Sequence, residues 1–175
     1  MDCLDDVAAF MESRRLLLVT AESCTAGLIA ARLADVPGAG ALLDCAFVVY
    51  SPHAKRRCLG VPARTLRRYN LTSEAVARAM ALGALRRSRA NAAIADTGVA
   101  DDTDDEIPAG TQCLAWALRD GPCGTPAVFS ETRRFPGDRR AIRHACAEYA
   151  LRRLPHYFGL FARGAGSDAP GKAPG

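Results

Sequence analysis

Lysine is almost missing from this chain. Of its 23 basic residues only Lys55 and Lys172 are lysines, and Lys172 stands in a Gly, Ala and Pro-rich stretch at the end. No uninterrupted apolar run approaches the roughly 20 residues that a membrane span requires, so a membrane partner is not expected. The first residues, Met1-Asp2-Cys3-Leu4-Asp5-Asp6, are acidic where a secretory signal is basic, which leads to the expectation of a cytoplasmic protein. Seven cysteines, an odd number, include no C-x-x-C pair, which argues against a disulfide framework and a zinc site. A net charge of +4 from 23 basic and 19 acidic residues is too balanced for a dedicated nucleic-acid surface, so a small anionic ligand fits better. The three histidines, His53, His144 and His156, show no Ser-His-Asp arrangement.

What is present reads as one α/β domain. At 175 residues the chain is long enough for one substantial core and too short to expect two. Leu4, Val7, Ala8 and Met11 have the spacing of an amphipathic helix over Leu4 to Ser13. Leu16 onward reads as a buried strand, followed by a turn and an Ala-rich helix over Thr25 to Ala34. Ala41 to Tyr50 reads as a strand buried on both faces, His53 to Leu59 as a short helix, and a second short helix follows Gly60-Val61-Pro62. A long helix is expected from Ser73 to Arg89, strands at Ala92 to Ala95, Gly110 to Leu118 and Pro126 to Thr132, and a helix from Arg139 to Pro155 at most. The fold class is therefore α/β, a three-layer α/β/α domain over 1–160 around a mixed, mostly parallel sheet. A disordered Gly, Ala and Pro-rich tail is expected over 161–175.

The run Leu16 to Gly27, LLLVTAESCTAG, carries the chemistry. A strand that stops at Ser23 delivers a hydroxyl to a helix start, where unpaired N–H groups favour an anion or a developing oxyanion. Ser23 is the leading nucleophile, with helix capping as the alternative reading of the same residue. Cys24 competes with it, because a thiol at a helix N-terminus has a lowered pKa; adjacent side chains diverge, so only one of the two can face a pocket. Tyr50 and Thr97 stand at two further strand ends, and Lys55 one helical turn past Tyr50. Parallel strands share one carboxyl edge, where these groups can converge. A desolvated Lys can act as a base where Arg stays protonated, which gives the lone lysine of the fold a purpose; chance retention on the surface is the alternative.

These blocks together resemble the nicotinamide-nucleotide amidase family, the C-terminal domain of CinA-type competence/damage-inducible proteins. The blocks are AESCTAG (Ala21 to Gly27), DVPGAG (Asp35 to Gly40), VVYSPHAKRRCLGV (Val48 to Val61), SEAVARAMA (Ser73 to Ala81), TGVADD (Thr97 to Asp102) and FPGDRRAIR (Phe135 to Arg143). The resemblance implies amidohydrolysis of nicotinamide mononucleotide to nicotinic acid mononucleotide and ammonia, with no metal and no cofactor. It implies Ser23 as nucleophile, with Lys55 and Tyr50 moving the proton. Backbone N–H groups near Thr25 to Gly27 would hold the oxyanion, Thr97 and Gly98 would line the pocket, and Arg139 would pair with the substrate phosphate. The family is compatible with a homo-oligomer. Departures gather at the rim: Ala26 replaces a glycine, Pro52 an asparagine, and Asp101 to Glu106 bring five carboxylates near a site for a phosphorylated substrate. They keep two alternatives open, a weak or silent paralogue serving as a binding module and an amidohydrolase of another small amide.

Overall fold

The computed structural model describes residues 3–102, 104–121 and 124–167. Among them, five strands form one sheet: β1 (Leu18–Glu22), β2 (Leu43–Val48), β3 (Ala92–Gly98), β4 (Thr111–Leu118) and β5 (Ala127–Arg134), in the order β2-β1-β3-β4-β5. β1 pairs in parallel with β2 and β3, and β4 is antiparallel to both β3 and β5. Four strands thus run one way and β4 the other. The helices are α1 (Leu4–Ser13), α2 (Leu28–Ala34), α3 (Pro52–Leu59), α4 (Ala63–Arg68), α5 (Glu74–Arg86), α6 (Arg139–Arg152) and α7 (Leu154–Ser167).

Alternation along the strands divides the core in two. Leu18, Ile94, Leu114, Trp116 and Leu118 face a layer made by α1, α2, α6 and α7. Val19, Ala21, Ala93, Ala95, Ala115 and Ala117 face α5, which answers with Val76, Ala77, Met80, Ala81 and Ala84. Large side chains fill the four-helix side, and small ones let α5 lie close to the sheet. Gly83 is part of that approach, because a Cβ there would stand 2.2 Å from the Leu59 carbonyl at the end of α3. On the other side Trp116 is fully buried, donates to the Ala150 carbonyl at 3.0 Å and stacks on Tyr157 at 4.3 Å between ring centroids.

Several boundaries differ from the sequence expectation for local reasons. β2 is an edge strand with only partial burial, and Val48 is 53% exposed, so the run expected to be buried on both faces has one open side. β3 continues past Ala95 through Asp96-Thr97-Gly98, because β4 pairs with it as far as Gly98↔Gln112. α2 begins at Leu28 and not Thr25, since Ala26 (φ 52°) and Gly27 (φ 97°) are both left-handed and no helix passes through them. α6 ends at Arg152 and Pro155 enters the first turn of α7, where its missing N–H is no loss. α7 runs to Ser167, so the first residues expected as tail are helical; 168–175, Thr103 of the acidic loop and Pro122 of the β4–β5 turn lie outside the described residues.

Trp116 ties β4 to both α6 and α7. Replacing it by Ala is expected to lower stability by about 3–5 kcal/mol, measured by urea unfolding followed by circular dichroism; a loss below 1 kcal/mol would contradict its place at the centre of this core.

Candidate active site

The carboxyl ends of β1, β2 and β3 open into a cavity of about 270 Å³. Ser23, Cys24, Tyr50, Lys55, Gly98 and Arg139 line it, together with the loop Asn70 to Thr72 and Asp104. Of the groups expected to converge at one sheet edge, Ser23, Tyr50 and Lys55 line the cavity, and so do Gly98 and Arg139, which the resemblance implied. Thr25, Gly27 and Thr97 are not part of the wall.

Lys55 is the centre of this arrangement. Ser51 caps α3 by accepting from the Ala54 N–H at 3.0 Å, and Pro52 occupies the helix start, so the substitution read as a rim departure fits the cap. One turn later Lys55 points inward and is only 1% exposed. Its Nζ lies 2.8 Å from Ser23 Oγ, 2.9 Å from the Val49 carbonyl and 3.2 Å from the Tyr50 carbonyl. Burial pushes the ammonium down to about 8, against a smaller opposing pull from Asp96. The ammonium donates to all three oxygens, and on losing a proton the amine can keep the two carbonyl bonds and turn its lone pair to the Ser23 hydroxyl.

The turn after β1 is built on two buried carboxyls that the sequence reading passed over. Glu22 ends β1 and accepts from the N–H groups of Gly27 (2.7 Å), Ile29 (3.1 Å) and Ala30 (3.0 Å), and from the hydroxyls of Thr20 (2.9 Å) and Thr25 (2.7 Å). Asp96 on β3 accepts from the N–H groups of Ser23 (3.2 Å) and Thr25 (3.1 Å), and it also bonds the Thr25 hydroxyl. Arg143 of α6 clamps the outside of the turn through the Cys24 and Thr25 carbonyls, each at 2.9 Å. The oxyanion donors expected at Thr25 and Gly27 are therefore spent on carboxylates. Among the described residues, Cys24 and Ala26 are left with uncommitted N–H groups in this turn, and Cys24 is the one lining the cavity.

The remaining expected residues take different parts. Cys24 Sγ accepts from Gln112 at 3.4 Å, and burial raises its pKa, opposite to the lowering expected of a nucleophilic thiol. Thr97 Oγ1 donates to the Leu71 carbonyl at 2.9 Å and so holds the 70–72 loop against the cavity. A Cβ at Gly98 would stand 2.2 Å from Gln112 Oε1, so any larger residue there would have to displace the Gln112 amide. The Tyr50 phenol is 2.7 Å from Arg139 at the rim, so its link to Lys55 runs through the main-chain carbonyl and not through the hydroxyl. Arg139 also pairs with Asp101 at 2.6 Å, which neutralises one carboxylate of the acidic loop. Asp104 accepts from Asn70 at 3.2 Å and from the N–H groups of Glu106 and Ile107. Among the described residues no group of three or more His, Cys, Asp or Glu is placed to hold a metal ion, and no helix is long and apolar enough to cross a membrane.

A three-layer α/β/α domain with a Ser–Lys pair in a cavity at the strand ends is thus what the chain forms. The family model for the CinA C-terminal domain matches residues 2–158, and the chain belongs to that family. A CinA-like protein of Akkermansia muciniphila is 43% identical over 147 residues, 83% of this chain and 34% of that protein. The chain spans about a third of the length of such relatives. A nicotinamide-nucleotide amidohydrolase PncC of Enterobacter agglomerans is 37% identical over 148 residues, 83% of this chain and 87% of that one. The crystal structure of competence damage-inducible protein A from Klebsiella pneumoniae superposes with a TM-score of 0.82 at 34% identity, covering 89% of this chain and 94% of the other.

Ala26 holds a left-handed φ that glycine adopts without strain. Ala26→Gly is expected to raise stability by up to about 1 kcal/mol, read from the urea midpoint; a clear loss would show that the methyl group contributes packing that outweighs the strain.

Proposed function

We propose that this protein is an amidohydrolase with a Ser23 nucleophile and a Lys55 base, and that it deamidates nicotinamide mononucleotide to nicotinic acid mononucleotide and ammonia. The observation that carries the reading is the buried Lys55 Nζ at 2.8 Å from Ser23 Oγ inside the strand-end cavity. The substrate reading is supported by membership of the family and by the relative of nearly equal length that is named a nicotinamide-nucleotide amidohydrolase. A neutral Lys55 takes the hydroxyl proton as Ser23 Oγ attacks the carboxamide carbon, and the tetrahedral oxyanion forms beside the Cys24 N–H. The resulting ammonium returns the proton to the leaving nitrogen, which departs as ammonia. Water then attacks the acyl-enzyme, with Lys55 as base again, and releases the acid. The Tyr50 and Val49 carbonyls aim Lys55, the Tyr50 phenol and Arg139 form the rim, and Arg139 takes the phosphate.

The paired Arg139 and Asp101 bear on a second reading, an amidohydrolase of a less anionic amide. Assay of ammonia release from nicotinamide mononucleotide and from a panel of small amides separates the two. Turnover of the nucleotide by the wild type, lost by about 10²- to 10⁴-fold in Ser23→Ala and Lys55→Arg, is the expected result. A folded wild-type protein that releases no ammonia from the nucleotide would overturn this choice of substrate. Because the base must be unprotonated, kcat/KM is expected to rise with pH and level off above about 8; a pH-independent rate between 6 and 9 would exclude Lys55 as the base.

A further inference from the structure

Lys55 becomes a buried ammonium each time it takes the Ser23 proton, yet its three hydrogen-bond partners are two carbonyls and that hydroxyl. A charge formed away from water requires a compensating charge nearby. Asp96, fully buried beneath the turn, is joined to Lys55 through one residue: it accepts the Ser23 N–H at 3.2 Å, and Ser23 Oγ lies 2.8 Å from Lys55 Nζ, so its charge when ionised favours the ammonium. The same side chain accepts the Ser23 N–H, so it touches the nucleophile's own backbone.

Proton counting around Thr25 shows what Asp96 carries. The Thr25 oxygen is hydrogen-bonded to Glu22 Oε2 and to Asp96 Oδ1, and a hydroxyl has one proton to donate. The second contact needs a proton from a carboxyl. Glu22 accepts three backbone N–H groups and the Thr20 hydroxyl besides, which suits the carboxylate. Asp96 accepts two, and burial pushes it up to about 6. Asp96 is therefore the member that takes up and releases the proton of this chain. The titratable groups that face it are Glu22 on β1, Lys55 on α3, Cys24 in the turn and Cys146 on α6, with the Arg143 guanidinium on the outer side of the turn. Burial raises both thiols and keeps them neutral, so Glu22, Lys55 and Arg143 are the charges among which Asp96 acts.

We propose that Asp96 is a positioning residue of this site, which fixes the nucleophile turn through Ser23 and Thr25 and supplies the counter-charge that sets the base strength of Lys55. The proposal rests on the reading of Ser23 and Lys55 as nucleophile and base, and it is independent of which amide is hydrolysed. Asp96→Asn is the informative variant. Its amide NH2 can donate to Thr25 Oγ1 while its oxygen accepts the Thr25 N–H, so the variant removes the ionised state and the Ser23 N–H acceptor and keeps the other two contacts.

The two lysines of the sequence make the measurement direct. Protein labelled with ¹³Cε-lysine gives one resonance for Lys55 and one for Lys172, and pH titration yields both midpoints. In Asp96→Asn the Lys55 midpoint is expected to fall by about one pH unit, with Lys172 unmoved. An unmoved or raised Lys55 midpoint overturns the proposal. Labelling of Ser23 by a fluorophosphonate, followed by mass spectrometry, reads the same dyad without any amide substrate. Its acid limb is expected to move down by the same amount, whereas a merely structural role would lower the rate equally at every pH. Should Asp96→Asn fail to fold, ¹³Cγ-aspartate titration of the wild type replaces it. Asp96 is then expected to titrate near 6 and the Lys55 resonance to show a second inflection at that pH; titration of Asp96 with the ordinary carboxylates overturns the proposal. Labelling of Ser23 without turnover of nicotinamide mononucleotide would remove the substrate reading and leave Asp96 in place. Turnover with an unmoved Lys55 midpoint would do the reverse.

Discussion

A carboxylate with no access to water must be surrounded by donors, and Glu22 obtains its donors from the turn that carries Ser23. Three backbone N–H groups at the entry to α2 converge on it, and the Thr25 hydroxyl links it to Asp96 on the neighbouring strand. This demand dictates the path of the chain. To bring the N–H groups of Gly27, Ile29 and Ala30 onto Glu22, the backbone passes through two consecutive left-handed residues, and the helix starts three residues later than its composition allows. Ser23, at the head of the turn, is left with its hydroxyl in the cavity. The helix start is thereby closed to substrate. A buried carboxylate already occupies the place where the positive end of a helix would have attracted an anion.

Lys55 is governed by the opposite requirement. An ammonium in the same interior is destabilised by desolvation, so the cavity wall favours the amine. Two carbonyls fix its nitrogen in position without neutralising a charge, which is a suitable setting for a group that gains and loses one. Arginine at this position would not release a proton. On the proposed reading, that difference accounts for a lysine in a chain that otherwise places arginine at nearly every basic position of the fold.

Much of this was legible in the residues. The α1 boundaries and the meeting of Ser23, Tyr50 and Lys55 follow from hydrophobic periodicity and from the rule that parallel strands share a carboxyl edge, whereas Gly98 and Arg139 came from the family resemblance. The edge position of β2 was not legible, because an apolar run has the same appearance in a central strand and in an edge strand whose open side is covered only in part. Glu22 and Asp96 escaped notice for a related reason: a carboxylate beside a polar turn reads as solvated until three dimensions show its donors. The signal for Asp96 was nevertheless there. It stands between Ala95 and Thr97 in a run whose pattern is that of a fully buried strand, and a charged residue there needs an internal partner. The division of labour between Tyr50's carbonyl and its phenol depends on backbone direction, which no residue pattern carries.

The acidic loop changes meaning in the same light. Five carboxylates near an anion site look prohibitive in a linear reading, yet Asp101 is paired with Arg139, and Asp104 is committed to Asn70 and to its own loop backbone. The Arg139 and Asp101 side chains are 49% and 39% exposed, a setting in which an ion pair contributes about 1 kcal/mol or less. On the proposed reading, a substrate phosphate reaching Arg139 exchanges one weakly held oxyanion partner for another with more acceptor oxygens and more charge. The displaced Asp101 returns to water at the rim, where its hydration replaces the lost contact. Tyr50 keeps its hydrogen bond to the guanidinium and so holds Arg139 in place through the exchange. On that reading the rim can be acidic in composition and still receive an anion, because the carboxylate facing the cavity cation is held by an exposed ion pair.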